Sequence, residues 1–221
     1  MTKPVPSIRG NPTVVCVLRS GGEYKPSHVQ DLCDGIRTHW PVSRMLRVVV
    51  LTDMSVAIQG AEDLSFRSLP LRYGWPGWWS KLELFRPELQ ALDSFLYFDL
   101  DTRIVGDLGD IAATQTLTML QDFYRADRLG SGLMYLPGSE RGKIWKHWID
   151  DPYTHMRKFR GDQEFLTPLL QDRAELWQVL LPDQVVSYKV HVKPQGGVPW
   201  NARVVCFHGR PRPWQVKGFA A

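Results

Sequence analysis

Cysteine is scarce in this 221-residue chain: Cys16, Cys33 and Cys206 stand far apart, odd in number and without a CxxC pair. That excludes a zinc ribbon and a disulfide-stapled secreted scaffold, and it fits a reducing compartment. Long apolar runs are missing too. No segment approaches the ~18 uninterrupted apolar residues of a membrane-spanning helix, and Met1 to Pro12 is proline-rich and polar, without the apolar stretch of a signal peptide. These absences predict a soluble, cytoplasmic protein. Repeats and low-complexity blocks are also lacking. A composition 43% hydrophobic and 23% charged is that of an ordinary globular chain. The length is short for two full domains, and a chain of this size buries roughly 70% of its unfolded surface, enough core to need no staples.

Acidic residues run out before the chain does. The overall charge is only +4, yet no Asp or Glu follows Asp183, while Lys189, Lys193, Arg203, Arg210, Arg212 and Lys217 do. Such an end suits an anionic ligand such as phosphate, or forms a solvated basic edge.

Thr13 to Leu18 (TVVCVL) reads as a buried strand followed by the glycine-bearing loop Arg19 to Glu23. Ser27 with Gln30 has the form of a capping box, and Val29, Leu32, Cys33 and Ile36 fall on one face of the helix it opens. Leu46 to Leu51 predicts the next strand, so a β-α-β order and a parallel sheet covered on both faces are expected. Gly74 to Leu84 turns and then becomes helical until Pro87. Further strands are expected at Phe95 to Phe98, Thr116 to Leu120, Ser131 to Leu136, Val185 to Tyr188 and Ala202 to Phe207. Lys143 to Ile149 and Gln163 to Leu170 read as helices, the second with Asp162 as N-cap. The expected architecture is a single α/β domain over residues 13–214, Rossmann-like, with a mostly parallel central sheet flanked by helices. Residues 1–12 and 215–221 read as tails, and ligands are expected at the carboxyl ends of the strands.

The apolar strand Phe95 to Phe98 runs into Asp99-Leu100-Asp101. Strand alternation would put both carboxylates on one side, with Leu100 on the other. Two such groups repel unless a divalent cation sits between them, and Mg²⁺ or Mn²⁺ takes oxygen ligands while leaving positions for substrate phosphates. The plain alternative is a polar turn after a strand. His208 also follows an apolar strand, so its imidazole is either a third ligand or a hydrogen-bonded structural residue. Arg210 and Arg212 beside it have the planar donors that grip phosphate.

The combination of Phe95-Leu96-Tyr97-Phe98-Asp99-Leu100-Asp101, Gly161-Asp162-Gln163 and His208-Gly209-Arg210-Pro211-Arg212-Pro213-Trp214 resembles the GT-A glycosyltransferases of the glycogenin and lipopolysaccharide galactosyltransferase type. The likeness is greatest to small phage and bacterial members with a WWxKLELF segment, here Trp78 to Phe85, and it spans Thr13 to Trp214. The resemblance implies a metal-dependent, retaining transfer from a UDP-sugar, with Asp99, Asp101 and His208 holding Mn²⁺ or Mg²⁺ on the diphosphate. Cation and Arg212 would then stabilise the departing diphosphate more in the transition state than before it. Where the family pattern HGxxKPW has lysine, this chain has Arg212.

The resemblance further assigns donor contacts to Val17, Leu18, Arg19, Thr52 and Asp53 at the ends of the first two strands, and to Leu100, Gly209 and Arg210. Asp53 either accepts from the uracil imide N–H or caps a turn. Lys81 reaches a donor oxygen or is an exposed helix lysine. Ser131 and Gly132 lie where the backbone approaches the sugar closely, and Asp162 with Gln163 faces the reacting centre. For the acceptor, residues 139–160 mix Arg141, Lys143, Lys146, Arg157, Lys158 and Arg160 with Trp145, Trp148, Tyr153 and Phe159. That is the composition of a base-stacking surface or of an ordinary amphipathic helix. A hydroxymethylated pyrimidine in DNA, flipped from its duplex, is one acceptor this leaves open. A saccharide or lipopolysaccharide is the other. A non-catalytic nucleic-acid-binding module is a third use for such a chain. A two-metal nucleotidyltransferase is disfavoured because no glycine-serine loop precedes Asp99.

Overall fold

The computed structural model describes residues 11–60 and 64–219. The first ten residues of the expected amino-terminal tail lie outside them. The strands follow in the order β1 (Thr13–Leu18), β2 (Arg47–Thr52), β3 (Ser65–Pro70), β4 (Phe95–Phe98), β5 (Thr102–Ile104), β6 (Thr118–Gln121), β7 (Leu129–Leu136), β8 (Glu175–Leu176), β9 (Val185–Ser187) and β10 (Val204–Cys206). The helices used below are α1 (Pro26–His39), α2 (Gly109–Ala113), α3 (Gly138–Asp150), α4 (Pro152–Lys158) and α5 (Asp162–Leu170), with a 3₁₀ helix over Gly77–Phe85.

Seven strands form the central sheet in the order β3-β2-β1-β4-β7-β6-β8. The β3, β2, β1 and β4 neighbours are parallel, β7 is antiparallel to both β4 and β6, and β8 is parallel to β6. The apolar runs that announced β1, β2 and β4 are unbroken because both faces are covered. Val14, Cys16, Leu18, Val48, Val50, Leu96 and Phe98 pack with the α1 residues Val29, Leu32, Cys33 and Ile36. Val15, Val49, Leu51, Phe95 and Tyr97 face the other way, onto Trp79, Leu82, Phe85, Trp148 and Phe165 from the 3₁₀ helix, α3 and α5. The period-2 alternation thus deals successive side chains into two cores. Among the described residues no helix is long and apolar enough to cross a membrane.

A second sheet, β5-β10-β9, sets the position of the site. Cys206 of β10 pairs with Thr102 of β5 and with Ser187 of β9. That register carries the residues just before Thr102, just after Cys206 and at Ser187 to one end of the same ribbon. Val216 and Phe219, from the expected carboxyl-terminal tail, pack on this sheet with Tyr188 and Phe207.

Local details correct the sequence reading. Pro26 starts α1 earlier than expected: Lys25 is the N-cap, its N–H donates to His28 Nδ1 at 3.0 Å, and Ser27 lies inside the helix. Gln30 turns to Asp34 and the Gln59 backbone instead. The N-cap of α5 is Gly161, because Asp162 directs its carboxylate into the site rather than to its own helix. The DxD does not continue the β4 alternation. The strand ends at Phe98, and a turn closed by Thr102 N–H to Asp99 O at 3.0 Å carries the chain into β5. β3 and β5 have no apolar run to reveal them: β3 is an edge strand of half-exposed SFRSLP, and β5 is three residues long.

Candidate active site

A cavity of about 1090 Å³ opens past the carboxyl ends of β1 and β4, where the β1–α1 loop, the DxD turn, the start of α5 and the segment following β10 converge. It stands at the top of the ~300–1,000 Å³ range of small-molecule sites, room for an extended ligand. Val17, Arg19, Lys81, Asp99, Leu100, Asp101, Ser131, Gly132, Asp162, Gln163, His208, Gly209 and Arg212 all line it. Residues distant in sequence and singled out for chemistry therefore meet in one place.

Lys81 links two of the carboxylates. Its ammonium is almost fully buried and lies 3.0 Å from both Asp99 Oδ1 and Asp162 Oδ2, and 3.1 Å from Ser131 Oγ. Burial pulls the lysine pKa down, but the charges of Asp162 and Asp99 together carry it above the ordinary value, so Lys81 is fixed as a cation. It is no exposed helix lysine. The 3₁₀ helix Gly77–Phe85 presents it inward beside Trp79, Leu82 and Phe85. Ser131 donates to Asp162 Oδ2 at 2.6 Å, and the Tyr97 hydroxyl donates to Asp99. A Cβ on Gly132 would meet Asp99 Oδ2 at 3.2 Å, so glycine there gives the carboxylate its room.

In the same lining Asp101, buried, accepts from Tyr24 Oη at 2.9 Å and from Arg212. Arg212 also donates Nε to Glu23 Oε1 at 2.9 Å and lies over the Tyr24 ring. Burial and then the neighbouring Asp99 charge push the Asp101 carboxyl up to about 7, against the pull of Arg212 and Tyr24. His208 Nε2 is hydrogen-bonded to Ser187 Oγ at 2.6 Å, and its ring stacks on Phe123. Burial, followed by the Lys189 charge, lowers the His208 pKa, which keeps the imidazole neutral at pH 7.

Among the described residues no three His, Cys, Asp or Glu side chains form a ready metal cage. The donor set nevertheless suits Mn²⁺ or Mg²⁺: two carboxylates and a neutral imidazole face one cavity, and the mutual repulsion that raises Asp101 is what a bound cation relieves. Each arm is held by a protein partner, Asp99 by Lys81 and Tyr97, Asp101 by Tyr24 and Arg212, and His208 by Ser187.

Leu18, Thr52, Asp53 and Arg210 fall outside the lining. Leu18 is core, and Thr52 is buried with its hydroxyl accepting from Met54 N–H at 3.0 Å. Both Asp53 oxygens are occupied by Ser20, from its N–H at 2.8 Å and its hydroxyl at 2.6 Å, with Arg19 at 3.4 Å. These hydrogen bonds outweigh the cost of partial burial and hold the Asp53 pKa below its ordinary value, so Asp53 ties down the loop that Arg19 and Ser20 open. Arg210 is exposed beside Glu23 at 3.5 Å.

The basic, aromatic segment 139–160 is not a stacking surface along its length. Trp145 and Trp148 are buried in α3, and Arg141 is buried with its guanidinium on the Leu89 and Asp93 carbonyls. The amphipathic-helix alternative is the one observed. Sequence reasoning missed Glu23, Tyr24, Tyr97 and Ser187. Only Tyr97 carried a signal, a polar tip two residues before a carboxylate in an otherwise apolar strand.

This sheet order, with a smaller sheet closing the site, is the single-domain α/β fold of GT-A-like glycosyltransferases. It is similar to the crystal structure of the glycosyltransferase GlyE of Streptococcus pneumoniae TIGR4, with a TM-score of 0.69 and 15% identity over 92% of this chain and 56% of that one. The apo form of GlyE gives 0.67 at 16% identity with the same coverage. The apo structure of the bifunctional glycosyltransferase WbbM gives 0.66 at 12% identity, over 96% of this chain and 48% of that one. The chain thus spans about half the length of these structures. No family model and no curated protein matches the sequence.

Proposed function

We propose that this chain transfers a sugar from a UDP-sugar to an acceptor hydroxyl with retention of anomeric configuration. The observation that carries the reading is the Asp99–Lys81–Asp162 network, built on the buried Lys81 and Asp162, in a cavity that Asp101 and its ion-pair partner Arg212 also line. Cationic groups that can face a diphosphate and polar groups that can face a sugar are already fixed in place, which is the preorganisation that charge-separating chemistry needs.

Asp99, Asp101 and His208 would hold Mn²⁺ or Mg²⁺, which when bound supplies Lewis-acid stabilisation of the departing diphosphate. Arg212 adds a guanidinium charge, held in orientation by Glu23 and Asp101, beside that diphosphate. Lys81 keeps Asp162 and Asp99 in register, so that Asp162, with Gln163 next to it, orients sugar hydroxyls. Asp99, Asp101 and Asp162 all direct their charge at cationic side chains. That favours a front-side transfer, in which the leaving diphosphate takes the acceptor proton, over one that needs a free carboxylate base.

The test is a screen of UDP-sugars with Mn²⁺, scoring UDP release and mass gain on saccharides and on hydroxymethylated DNA. Asp101→Ala is expected to abolish both donor hydrolysis and transfer with circular dichroism unchanged. Full activity of that variant with metal chelated would overturn the assignment, and an inverted product anomer would overturn retention.

A further inference from the structure

One aromatic of the WWxKLELF segment has no explanation in packing. Trp79 is buried and stacks on Trp148, with centroids 5.4 Å apart, but its neighbour Trp78 is 58% exposed on the cavity rim. It is not loose there. Gly161 lies against the pyrrole half of the indole: a Cβ on it would sit 3.3 Å from Nε1, 3.5 Å from Cδ1 and 3.7 Å from Cε2. Gly161 immediately precedes Asp162, so the supported ring stands beside the carboxylate that Lys81 holds at the reacting end of the site.

We infer that Trp78 is the platform for a pyranose ring of the acceptor, so that the acceptor is a saccharide rather than DNA. A pyranose offers a face of C–H groups edged by hydroxyls, which matches a flat apolar ring with a negative face. Polar groups for the hydroxyls lie close by in the lining, with Gln163 and Asp122 joined at 3.5 Å. A stacked nucleobase would also cover the ring, and the charge around it decides between them. Arg128 and Arg160 line the same rim, but both are paired with Glu164, Arg128 Nη1 at 2.7 Å and Arg160 Nε at 2.8 Å. With Arg125 offset by Asp122, the rim has little net positive charge left to neutralise a run of phosphates. The aromatics of α3 that could have extended a base-stacking path are buried.

This inference rests on the transferase reading, and the experiment separates the two. Donor hydrolysis and transfer are measured with Mn²⁺ and UDP-sugars for the wild type, Trp78→Ala and Trp78→Phe. The acceptors are p-nitrophenyl α- and β-glucosides and galactosides, and single- and double-stranded oligonucleotides containing hydroxymethylcytosine. Trp78→Ala should raise KM for the glycoside about tenfold more than KM for the donor, with Trp78→Phe between it and the wild type. Equal acceptor KM in all three proteins, a rise confined to the donor KM, or hydrolysis coupled to transfer onto DNA and onto no glycoside would each overturn the role given to Trp78. Absence of donor hydrolysis from wild type and variants alike would instead remove the transferase reading, and the platform with it.

Discussion

Arg212 reaches back 111 residues to ion-pair with the buried carboxylate of Asp101. The contact follows from the small sheet. Thr102 and Cys206 are partners in the β5–β10 ladder, so the residue before one strand and the loop after the other are brought together at the cavity mouth. Glu23 and Tyr24 from the β1–α1 loop fix the guanidinium from the far side, with Glu23 Oε1 2.8 Å from Nη2. The DxD turn, the amino-terminal loop and the basic carboxyl-terminal segment are thereby tied into one unit.

Arginine rather than lysine at position 212 should matter through geometry more than through charge. The side chain makes three directed contacts, to Asp101 and twice to Glu23, and a lysine ammonium cannot keep that fork. Arg212→Ala is expected to lower the transfer rate on the order of 10²-fold, the usual effect of losing one donor to a developing oxyanion. Arg212→Lys should lie between that variant and the wild type. Steady-state rates at saturating donor measure this, and equal rates for the three proteins would exclude Arg212 from the chemistry.

Asp101 makes stability depend on pH in an unusual direction. Burial and the Asp99 charge raise its folded-state pKa to about 7, whereas an unfolded aspartate titrates near ~3.9. Between those values the folded chain holds a proton that the unfolded chain has released, so this contribution is complete below the unfolded pKa and is lost as pH rises through about 7. Asp101→Asn has no such proton. In urea unfolding without divalent cation, the stability of the wild type relative to Asp101→Asn should fall from pH 4 to pH 7 and level off above pH 8. A difference that stays flat across the window would show Asp101 ionised throughout.

Lys81 is the cation that pairs with both Asp99 and Asp162, so its removal should be felt first in folding. Lys81→Met leaves the buried Asp162 carboxylate, and the partly exposed Asp99 beside it, without a counter-charge, a change expected to cost about 3–5 kcal/mol through Asp162. Adding Asp162→Asn removes one of the two charges and should restore part of that loss without restoring transfer. Thermal melts beside activity assays check this. A double variant as unstable as Lys81→Met would show that the lysine stabilises through packing alone.

The parts of this arrangement that the sequence showed are those written in unbroken apolar runs or in single chemical groups at their ends. Phe95 to Phe98 is buried at every position, and its four letters predict β4 and the carboxylates that follow. His208 and Arg212 were legible for the same reason, as polar residues just past a buried strand. What stayed hidden was pairing. Nothing local in Tyr24 or Glu23 says that Arg212 will lie against them, because that depends on a three-residue strand, β5, too short to leave a pattern. Lys81 was ambiguous because its burial is set by Trp79, Leu82 and Phe85 turning the 3₁₀ helix inward, and the aromatic periodicity of that segment fits several faces. Asp53 was read as a uracil acceptor or a turn cap, and the structure gives it to Ser20, 33 residues away on the neighbouring strand's loop, a pairing that no local pattern announces.

Glu164 pairs with two arginines of the rim. Its carboxylate holds Arg160 and Arg128, and hydrogen bonds from Arg160 in particular lower its pKa to about 2, so it is ionised at every physiological pH. Glu164→Gln keeps the shape of the side chain but releases two guanidiniums onto the cavity edge. If the rim is neutral by design of these pairs, the variant should bind duplex DNA of arbitrary sequence more tightly than the wild type. The dependence of log K on log salt should steepen by roughly 1.8, the release expected for two added phosphate contacts. Fluorescence anisotropy at several salt concentrations measures both quantities. Wild-type protein that already binds DNA with a steep salt dependence, unchanged in Glu164→Gln, would mean that other basic side chains govern the surface and that its pairing with Glu164 does not select against nucleic acid.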